Sequence, residues 1–445
     1  MRIYFVSLGC DKNLVDSEVM LGLLREAGFS FTDDENEADV AIVNTCCFIH
    51  DAKEESINTL IELGKLKSDG KLKALIASGC LAQRYHKEIA EEIPEVDAII
   101  GTLAIESVVK AVQKALNNEK ETYLTDINAA PFIGGKRINT TGGYYAYLKI
   151  AEGCDKHCTY CIIPKVRGNF RSVPMEQLVA QAEMLAQQGI KELILVAQET
   201  TLYGVDLYGS KKLPELMKKL CEIEGIAWIR LLYCYPEEIT DELIDTMKTE
   251  QKILPYIDMP IQHASDPILK RMGRRTSEKQ IRGIVSKLRQ EIPEICIRTT
   301  LITGFPGETQ EDYETLYRFV NELEFDRLGV FTYSAEEDTP AALMPDQIDD
   351  SVKEERRDEI MELQQEIAFE KAELMTNKVL DVMIEGRIVT ENAYVARSYK
   401  DAPEVDGYVF VNTQRDLMSG DIVKVRITGS NEYDLTGEIE DEFAE

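Results

Sequence analysis

Histidine is scarce in this sequence, with four residues in a chain of 445, and neither His50 nor His86 stands at a spacing typical of metal ligands. No Ser-His-Asp set and no phosphate-binding glycine loop can be recognised. The residues therefore give no support to hydrolysis by a catalytic triad or to a nucleotide-phosphate loop.

Long apolar runs are missing as well. The apolar stretch at residues 1–6 is too short for a signal peptide, and no segment reaches the roughly 18 uninterrupted apolar residues of a membrane span. We therefore expect a cytoplasmic protein without a membrane partner. The composition, 44% hydrophobic and 29% charged, is typical of a soluble globular chain, and the length predicts two to four domains.

Basic residues are outnumbered, with 50 Lys and Arg against 80 Asp and Glu, which gives a formal net charge of -30. Such a charge repels phosphate backbones and attracts basic proteins, although a local basic surface can be concealed within the total. It disfavours a nucleic-acid substrate without excluding one.

Cysteine, in contrast, is plentiful, with ten residues. In a reducing compartment these are not expected to form disulfides, so clustered cysteines indicate metal or redox chemistry and isolated ones indicate core packing. Cys221, in an amphipathic helical pattern, and Cys234 and Cys296, in apolar strands, belong to the isolated group.

The densest group is Cys154-x3-Cys158-x2-Cys161, with three thiols on one tight loop after a predicted strand. Three cysteines can hold a four-iron cluster and leave one iron free to bind a small molecule. The alternative is a zinc knuckle with His157 as the fourth ligand, although a residue adjacent to Cys158 is expected to point away.

A second group comes from three strand ends, where apolar runs lead into Cys10, Cys46 and Cys80. The runs, each closing on its cysteine, lie at residues 3–10, 40–46 and 74–80, and helical patterns follow at 15–27, 51–66 and 83–92. We predict a parallel α/β sheet whose right-handed crossovers bring the three cysteines to one edge. Cys47 is expected to point away from Cys46. Core packing is the alternative for each cysteine taken alone.

A polar linker rich in Gly, Asn and Thr is predicted at residues 119–143, and it includes Gly134 and Gly135. Six further strand patterns then predict a partial (βα)6 barrel, whose chemistry belongs at the C-terminal mouth of the strands. They lie at residues 145–151, 192–198, 227–234, 255–261, 295–303 and 327–333.

A charged amphipathic helix is predicted at 351–375, with Ile360, Leu363, Ile367 and Leu374 on one stripe. The last 70 residues alternate with period two and predict a small antiparallel β-barrel. The predicted division is an α/β domain at 1–118, the linker at 119–143, the partial barrel at 144–372 and the small barrel at 373–445.

The spacing Cys154-x3-Cys158-x2-Cys161 resembles that of the radical S-adenosylmethionine enzymes. In that superfamily the free iron chelates the amino and carboxylate groups of S-adenosylmethionine, and one electron splits the cofactor into methionine and a 5′-deoxyadenosyl radical. The placement of the loop at the mouth of a six-unit barrel agrees with this resemblance.

Nearly the whole chain resembles the methylthiotransferases, which replace a C–H bond with C–SCH3 and end in a small barrel of the TRAM type. The resemblance implies two [4Fe-4S] clusters, a radical-generating one on Cys154, Cys158 and Cys161 and an auxiliary one on Cys10, Cys46 and Cys80. The auxiliary cluster is implied to be the place where sulfur is methylated and handed to the substrate.

Three segments are similar to the branch of this family that modifies a ribosomal protein: SLGCDKNLVDSE at 7–18, NTCCF at 44–48 and YIDMPIQHAS at 256–265. The tRNA branch usually reads GCQMN in the first of them. Asp11 stands where the ribosomal branch commonly has proline, a departure that affects loop stiffness more than cluster chemistry.

The implied substrate is an aspartate of small-subunit ribosomal protein twelve, methylthiolated at its β-carbon, with a flavodoxin- or ferredoxin-like electron donor. Residues 373–445 contain 16 Asp and Glu against 7 Lys and Arg, which suits a basic protein better than RNA and makes tRNA an unfavourable partner. The alternatives are a solvated acidic surface without a partner, a tRNA methylthiotransferase whose basic face the total charge conceals, and a non-catalytic two-cluster electron carrier.

Five further residues are candidates for S-adenosylmethionine binding: Tyr160, Gln198, Glu199, Gln262 and Arg298. Gln198 and Glu199 end the second barrel strand, where the superfamily often has a Gly-Gly-Glu segment near the methionine amino group. Tyr160 matches an aromatic position near the adenine, and covering the cluster is its alternative role. The alternative is helix capping for Gln198 and Glu199, and a structural turn with an outward arginine for Arg298. Gln262 is a candidate contact to the cofactor or to the substrate.

Overall fold

The computed structural model describes residues 1–132, 134 and 136–440 of the chain. Gly135 of the predicted linker and residues 441–445 of the predicted small barrel lie outside the described residues. Among the described residues, no helix combines the length and the apolar composition of a membrane span.

The N-terminal region is a parallel six-stranded sheet with helices on both faces, in the order β2-β1-β3-β4-β5-β6. The strands are β1 Arg2–Ser7, β2 Ser30–Thr32, β3 Val40–Thr45, β4 Ala74–Ser78, β5 Ala98–Ile100 and β6 Glu121–Tyr123. The helices are α1 Asp11–Glu26, α2 His50–Ser68, α3 Gly79–Arg84, α4 His86–Glu92 and α5 Val108–Leu116. β6 lies within the range predicted as a linker and pairs with β5.

The central strand β3 shows why these residues form a buried parallel sheet. All six of its residues are buried, and successive side chains point to opposite faces. Ala41 and Val43 pack with α2 and α3, whereas Val40 and Ile42 pack with α1 and α5. The single helix expected at 83–92 is divided at Tyr85, where the backbone leaves the helical region.

The central region is a second parallel six-stranded sheet, in the order β14-β13-β12-β11-β10-β7. Its strands are β7 Tyr145–Lys149, β10 Glu192–Val196, β11 Trp228–Leu231, β12 Ile253–Asp258, β13 Cys296–Thr303 and β14 Arg327–Thr332, and the short pair β8 Ala151–Glu152 and β9 Arg171–Ser172 lies beside it. Because no pairing joins β7 to β14 within the described residues, the barrel is open, which confirms the predicted partial barrel.

Helices follow these strands, and most of them cover the outer face of the sheet, whereas the first packs against the N-terminal region. They are α6 Ile163–Arg167, α7 Met175–Gln187, α8 Val205–Tyr208, α9 Leu213–Cys221, α10 Asp241–Thr249, α11 Asp266–Arg271, α12 Glu278–Glu291, α13 Gln310–Leu323 and α14 Asp350–Glu373. Ile360, Leu363 and Ile367 of α14 are buried as predicted, but the prediction for Leu374 is wrong. Leu374 is 71% exposed because α14 ends at Glu373 and the stripe does not continue.

The C-terminal region is a closed five-stranded barrel in the order β15-β16-β17-β19-β18. Its strands are β15 Val379–Ile388, β16 Ala393–Ser398, β17 Val409–Asn412, β18 Ile422–Asn431 and β19 Asp434–Ile439. The predicted barrel is confirmed, with one difference: β17 and β19 pair in parallel, whereas the other four pairings are antiparallel. A closed ring with an odd number of strands cannot alternate direction throughout, so one parallel pair is required.

All three regions contribute to one apolar cluster on the inner face of the central sheet. Trp228 and Tyr145 of the sheet pack there with Val15 of α1 and Met383 of the C-terminal barrel. A buried ion triad reinforces the contact with the barrel, because Glu192 of β10 accepts hydrogen bonds from Arg230 and Arg397, each at 2.8 Å.

Candidate functional site

Cys10, Cys46 and Cys80 follow β1, β3 and β4, which are three adjacent strands of the first sheet. Cys10 is the N-cap of α1, and Cys80 is the second residue of α3. A Cβ atom added to Gly9 would lie 2.9 Å from the sulfur of Cys46, so the first two loops are in contact. The structure therefore brings the three cysteines to one edge of the sheet.

Hydrogen bonds from polar side chains connect these three loops. The Asn13 amide donates to the carbonyl of Leu8 at 2.6 Å and to that of Thr45 at 3.3 Å, which ties the first loop to the second. The Thr45 hydroxyl donates to the carbonyl of Ser78 at 2.5 Å, which ties the second loop to the third. The spacing of the three thiols is therefore held by hydrogen bonds that do not involve the cysteines.

Cys47 follows Cys46 directly, and its side chain is buried in the apolar cluster of Leu60 and Leu81 behind the sheet. Cys80 belongs to the same cluster. Burial raises the pKa of the Cys47 thiol to about 12, and it raises the pKa of Cys80 as well. The exclusion of Cys47 from the ligand set stays a prediction, based on the alternation of side chains along an extended chain.

Cys154, Cys158 and Cys161 lie on the loop that follows β8, at the C-terminal edge of the central sheet. Gly153 begins the loop with a φ of +78°, and a Cβ there would lie 2.1 Å from the carbonyl of Asn169, so only glycine fits. His157 is exposed. The zinc alternative required His157 to face the cysteines, and its exposure gives no support to that role.

Burial raises the pKa of the Cys154 thiol to about 12 and raises the pKa of Cys161 as well. Because metal ligands must be thiolates, binding of iron to these side chains would release protons. Within residues 1–132, 134 and 136–440, no three His, Cys, Asp or Glu side chains converge on the position of a single metal ion. Each set of three thiols lies at one edge of a sheet. Such a set suits a multi-iron cluster, in which each thiolate binds a different iron atom.

Gln198 and Glu199, directly after β10, both have buried side-chain oxygens with no hydrogen-bond donor among the described residues, namely Gln198 Oε1 and Glu199 Oε2. Gln198 Nε2 donates to Glu152 at 3.1 Å, and the other Glu199 oxygen accepts the backbone N–H of Thr201 at 2.8 Å. Unpaired buried oxygens are costly, so a missing donor is indicated. An ammonium group, such as the amino group of S-adenosylmethionine, fits this need.

Burial raises the pKa of the Glu199 carboxyl to about 7, and the hydrogen bonds from Thr201 and the Lys156 ammonium at 3.8 Å oppose that rise. Lys156 is also paired with Glu237 at 3.4 Å and with Glu238. Glu199 is therefore only partly ionised at neutral pH until a further cation approaches it.

The other three candidate cofactor contacts have different surroundings. Tyr160 packs beside Phe305 and Tyr333, and its pKa is raised by burial and by Cys158. Gln262 has a strained backbone with φ of +70°, fixed by hydrogen bonds with the β13 backbone. Arg298 donates to Asp258 at 2.8 Å and lies 3.6 Å from Asp406 of the C-terminal barrel, so its charge is already paired.

Two groups of residues near the cysteine loops were not predicted from the sequence. Tyr235 lies after β11, with its hydroxyl 3.7 Å from the sulfur of Cys158 and the Arg274 guanidinium 4.2 Å from its ring centre. Lys12 lies 3.3 Å from the ring centre of Tyr233, a residue with φ of +59°. Position after a strand end could have identified both tyrosines, but no local pattern marks Arg274 or Lys12.

Comparison with known proteins gives three family matches along the chain. Residues 2–101 match the uncharacterized protein family UPF0004, residues 148–320 match the radical SAM superfamily, and residues 378–439 match the TRAM domain. The matched segments correspond to the three regions of the fold.

Relatives of known assignment match the chain over its whole length. It is 61% identical to the ribosomal protein uS12 methylthiotransferase RimO of Lachnoclostridium phytofermentans, over 99% of this chain and 100% of that protein. It is 47% identical to the protein of the same name from Clostridioides difficile, over 100% of both chains.

The chain belongs to the ribosomal protein uS12 methylthiotransferase family. The predicted radical S-adenosylmethionine methylthiotransferase is thereby confirmed, as is its ribosomal branch. Solved structures share the fold of this family member: the radical S-adenosylmethionine methyltransferase TsrM from Kitasatospora setae has a TM-score of 0.54 at 13% identity, covering 85% of this chain and 78% of that one. The cobalamin-dependent enzyme OxsB has a TM-score of 0.51 at 15% identity, covering 82% and 56%.

Proposed function

We propose that this chain methylthiolates the β-carbon of an aspartate in small-subunit ribosomal protein twelve, with two [4Fe-4S] clusters and S-adenosylmethionine as cofactors. One structural observation carries the proposal. Helix α6 begins just after Cys161 and ends at Arg167, whose side chain lies 3.4 Å from the sulfur of Cys80. Two sets of three cysteines on different sheets are therefore neighbours, as a transfer between two clusters requires.

In this proposal Cys154, Cys158 and Cys161 hold the radical-generating cluster at the mouth of the open barrel. The unpaired oxygens of Gln198 and Glu199 accept hydrogen bonds from the amino group of S-adenosylmethionine. Ionised Glu199 then gains a cation beside it, which offsets the cost of its burial. Tyr160, Gln262 and Arg298 remain candidate contacts of S-adenosylmethionine. For Arg298, the carboxylates of Asp258 and Asp406 compete with the cofactor carboxylate.

Cys10, Cys46 and Cys80 hold the auxiliary cluster in the same proposal. Cys46 and Cys80 are buried, whereas Cys10 is exposed, so a substrate side chain approaches this cluster from the Cys10 side. When bound, the clusters and S-adenosylmethionine supply the radical that removes the β-hydrogen and the methylthio group that replaces it. An aspartate β-carbon has an unactivated C–H bond, which is why a base alone is insufficient.

The partners of the proposed reaction follow from charge and chemistry. The acidic C-terminal region, with 16 Asp and Glu against 7 Lys and Arg at 373–445, suits a basic ribosomal protein. The clusters need an electron from a flavodoxin- or ferredoxin-like donor. We place the reaction in the cytoplasm, where the ribosomal protein is made. We propose the domain division 1–118, 144–372 and 373–445, with a linker at 119–143 whose strand β6 joins the sheet of the first region.

The test is reconstitution of the chain with iron and sulfide, followed by addition of the ribosomal protein, dithionite and S-adenosylmethionine. We expect mass spectrometry to find one methylthio group on one aspartate. A chain with Cys10, Cys46 and Cys80 replaced by alanine should retain about half of the iron. It should still release 5′-deoxyadenosine but yield no methylthiolated peptide.

Three results would contradict parts of the proposal. Release of 5′-deoxyadenosine by the intact chain without any modified peptide would refute the substrate but leave the radical chemistry. Tight tRNA binding with a steep salt dependence would favour the tRNA alternative. Reversible redox titration with no cleavage of S-adenosylmethionine would favour an electron carrier.

A further inference from the structure

Arg167, the last residue of α6, is buried at the contact between the first two regions, with 1% of its surface exposed. Its Nε–H donates to the sulfur of Cys80 at 3.4 Å. Its terminal nitrogens donate to Asp16 at 2.9 Å, to both oxygens of Glu152 at 3.1 Å and to Asn13 at 3.0 Å. Each nitrogen of this guanidinium thus has a named acceptor, and one of these acceptors is a cysteine.

The charges around Arg167 balance without the cysteine. Lys149 donates to Asp16 and, at 2.8 Å, to Glu152, so two cations face two carboxylates. The contact with Cys80 is therefore additional to the ion pairs. If Cys80 is a ligand, its sulfur carries negative charge, and the Arg167 N–H becomes a charge-assisted donor to it.

The position of Arg167 is fixed from both sides. The apolar side chains of Ile162 and Val166 pack into the cluster of the N-terminal region that contains Cys80, and the carbonyl of Val166 accepts the Thr102 hydroxyl at 3.1 Å. On the other side, the carbonyl of Gly168 accepts the backbone N–H of Cys154 at 3.1 Å. The backbone that carries Arg167 is therefore held between the two cysteine sets.

Hydrogen bonds to the sulfur ligands and nearby positive charge raise the reduction potential of an iron–sulfur cluster, because both stabilise the extra electron. Arginine suits this role, since it stays charged when buried. We propose that Arg167 is a positioning residue that orients Cys80 for the auxiliary cluster and raises the reduction potential of that cluster, from a segment that belongs to the radical-generating region. The inference rests on the proposed function, because it takes Cys80 as a ligand.

The test isolates the auxiliary cluster and changes Arg167 within it. A full-length chain with Cys154, Cys158 and Cys161 replaced by alanine is reconstituted, and the paired substitution Arg167→Met with Asp16→Asn is added. The pair removes one charge of each sign, so Lys149 and Glu152 still neutralise each other. In a potentiometric titration followed by electron paramagnetic resonance, the midpoint potential of the auxiliary cluster should shift to a more negative value.

Matched controls separate this effect from general disturbance. Asp16→Asn alone keeps the N–H donor to Cys80, so it should produce little of the shift in midpoint potential. Arg171→Met removes a neighbouring arginine that donates to the carbonyls of Asn169 and Arg167 and should not change the potential. In a chain that has alanine at Cys10, Cys46 and Cys80, the paired substitution should leave the potential of the radical-generating cluster unchanged.

A second variant keeps the inference falsifiable if the paired variant does not fold. Arg167→Lys retains the cation but lacks the fixed Nε–H, and it should give a smaller negative shift. The inference is overturned if either folded variant binds its full complement of iron at an unchanged or more positive potential. Absence of iron in the chain that lacks Cys154, Cys158 and Cys161 would instead overturn the proposed ligand set, and with it the proposed function.

Discussion

The buried carboxyl of Glu199 makes the stability of the cofactor-free chain depend on pH in a definite direction. Its pKa is about 7 in the folded chain, against 4.5 for an unperturbed glutamate. The folded chain therefore binds more protons than the unfolded chain between these values, so stability falls as the pH rises from 4.5 to 7. At about 1.4 kcal/mol per pH unit, the contribution of Glu199 makes the free energy of unfolding above pH 7 lower than that below pH 4.5 by about 3 kcal/mol.

The substitution Glu199→Gln removes the titrating group but keeps its size and its oxygen acceptor for Thr201. Because groups remote from Glu199 titrate equally in both chains, the difference in unfolding free energy between variant and wild type should change with pH. It should move in favour of the variant by about 3 kcal/mol between about pH 4.5 and about pH 8. Lys156 retains Glu237 and Glu238 as partners in the variant.

The measurement is urea unfolding followed by tryptophan fluorescence. The chain has a single tryptophan, Trp228 on β11, beside the strand that leads to Glu199, so the signal reports this region. Glu183→Gln, at an exposed position on α7, is the matched control and should alter stability by less than about 0.5 kcal/mol at any pH. A difference between the Glu199→Gln variant and the wild type that stays constant over this pH range would refute the reasoning.

Three further predictions concern the cysteine loops. Cys47→Ala should retain the iron content of the wild type, whereas Cys46→Ala should lower it, because the Cys46 sulfur lies beside the first loop and the Cys47 side chain packs with Leu60 and Leu81; iron analysis distinguishes them. Gly79→Ala should reduce iron towards half, because its φ is +90° and a Cβ would lie 2.3 Å from the Asn44 side chain; unchanged iron would contradict this. Lys12→Met should destabilise the cofactor-free chain by about 3 to 5 kcal/mol in urea unfolding. The reason is that the buried carboxylate of Asp11, 2.9 Å from the Lys12 ammonium, loses its cation. Adding Asp11→Asn should restore most of the lost stability.

The sequence was sufficient to predict β1, β3 and β4 of the first sheet, the six strands of the second sheet and the edge on which the chemistry lies, but not the short strands β2, β5 and β6. Apolar runs such as 40–45 form buried parallel strands, and the rule that their carboxyl ends share an edge locates Cys46 and its counterparts. Local periodicity could not predict where the stripe of α14 ends, which is why the prediction for Leu374 was wrong. The parallel pairing of β17 and β19 depends on closure of the whole ring, which no single segment encodes.

The candidate site likewise contains residues that the sequence predicts and residues that only the structure reveals. The ends of strands indicated Gln198 and Glu199, and the structure adds the physical reason, which is an oxygen on each that lacks a donor among the residues described. Arg167 could not be found from its neighbours in sequence, because its role is defined by Cys80 and Asp16, which are far away in the chain. Long-range contacts of this kind appear only when the regions are assembled.

The apolar cluster shared by Val15, Trp228 and Met383 bears on how this chain can be divided or recombined. A fragment that ends before the C-terminal barrel would expose the inner face of the open sheet to water, and removal of the first region would uncover it from the other side. Exchange of the terminal barrel between relatives therefore requires that the barrel side chains facing the sheet, such as Met383, change together with those of the sheet.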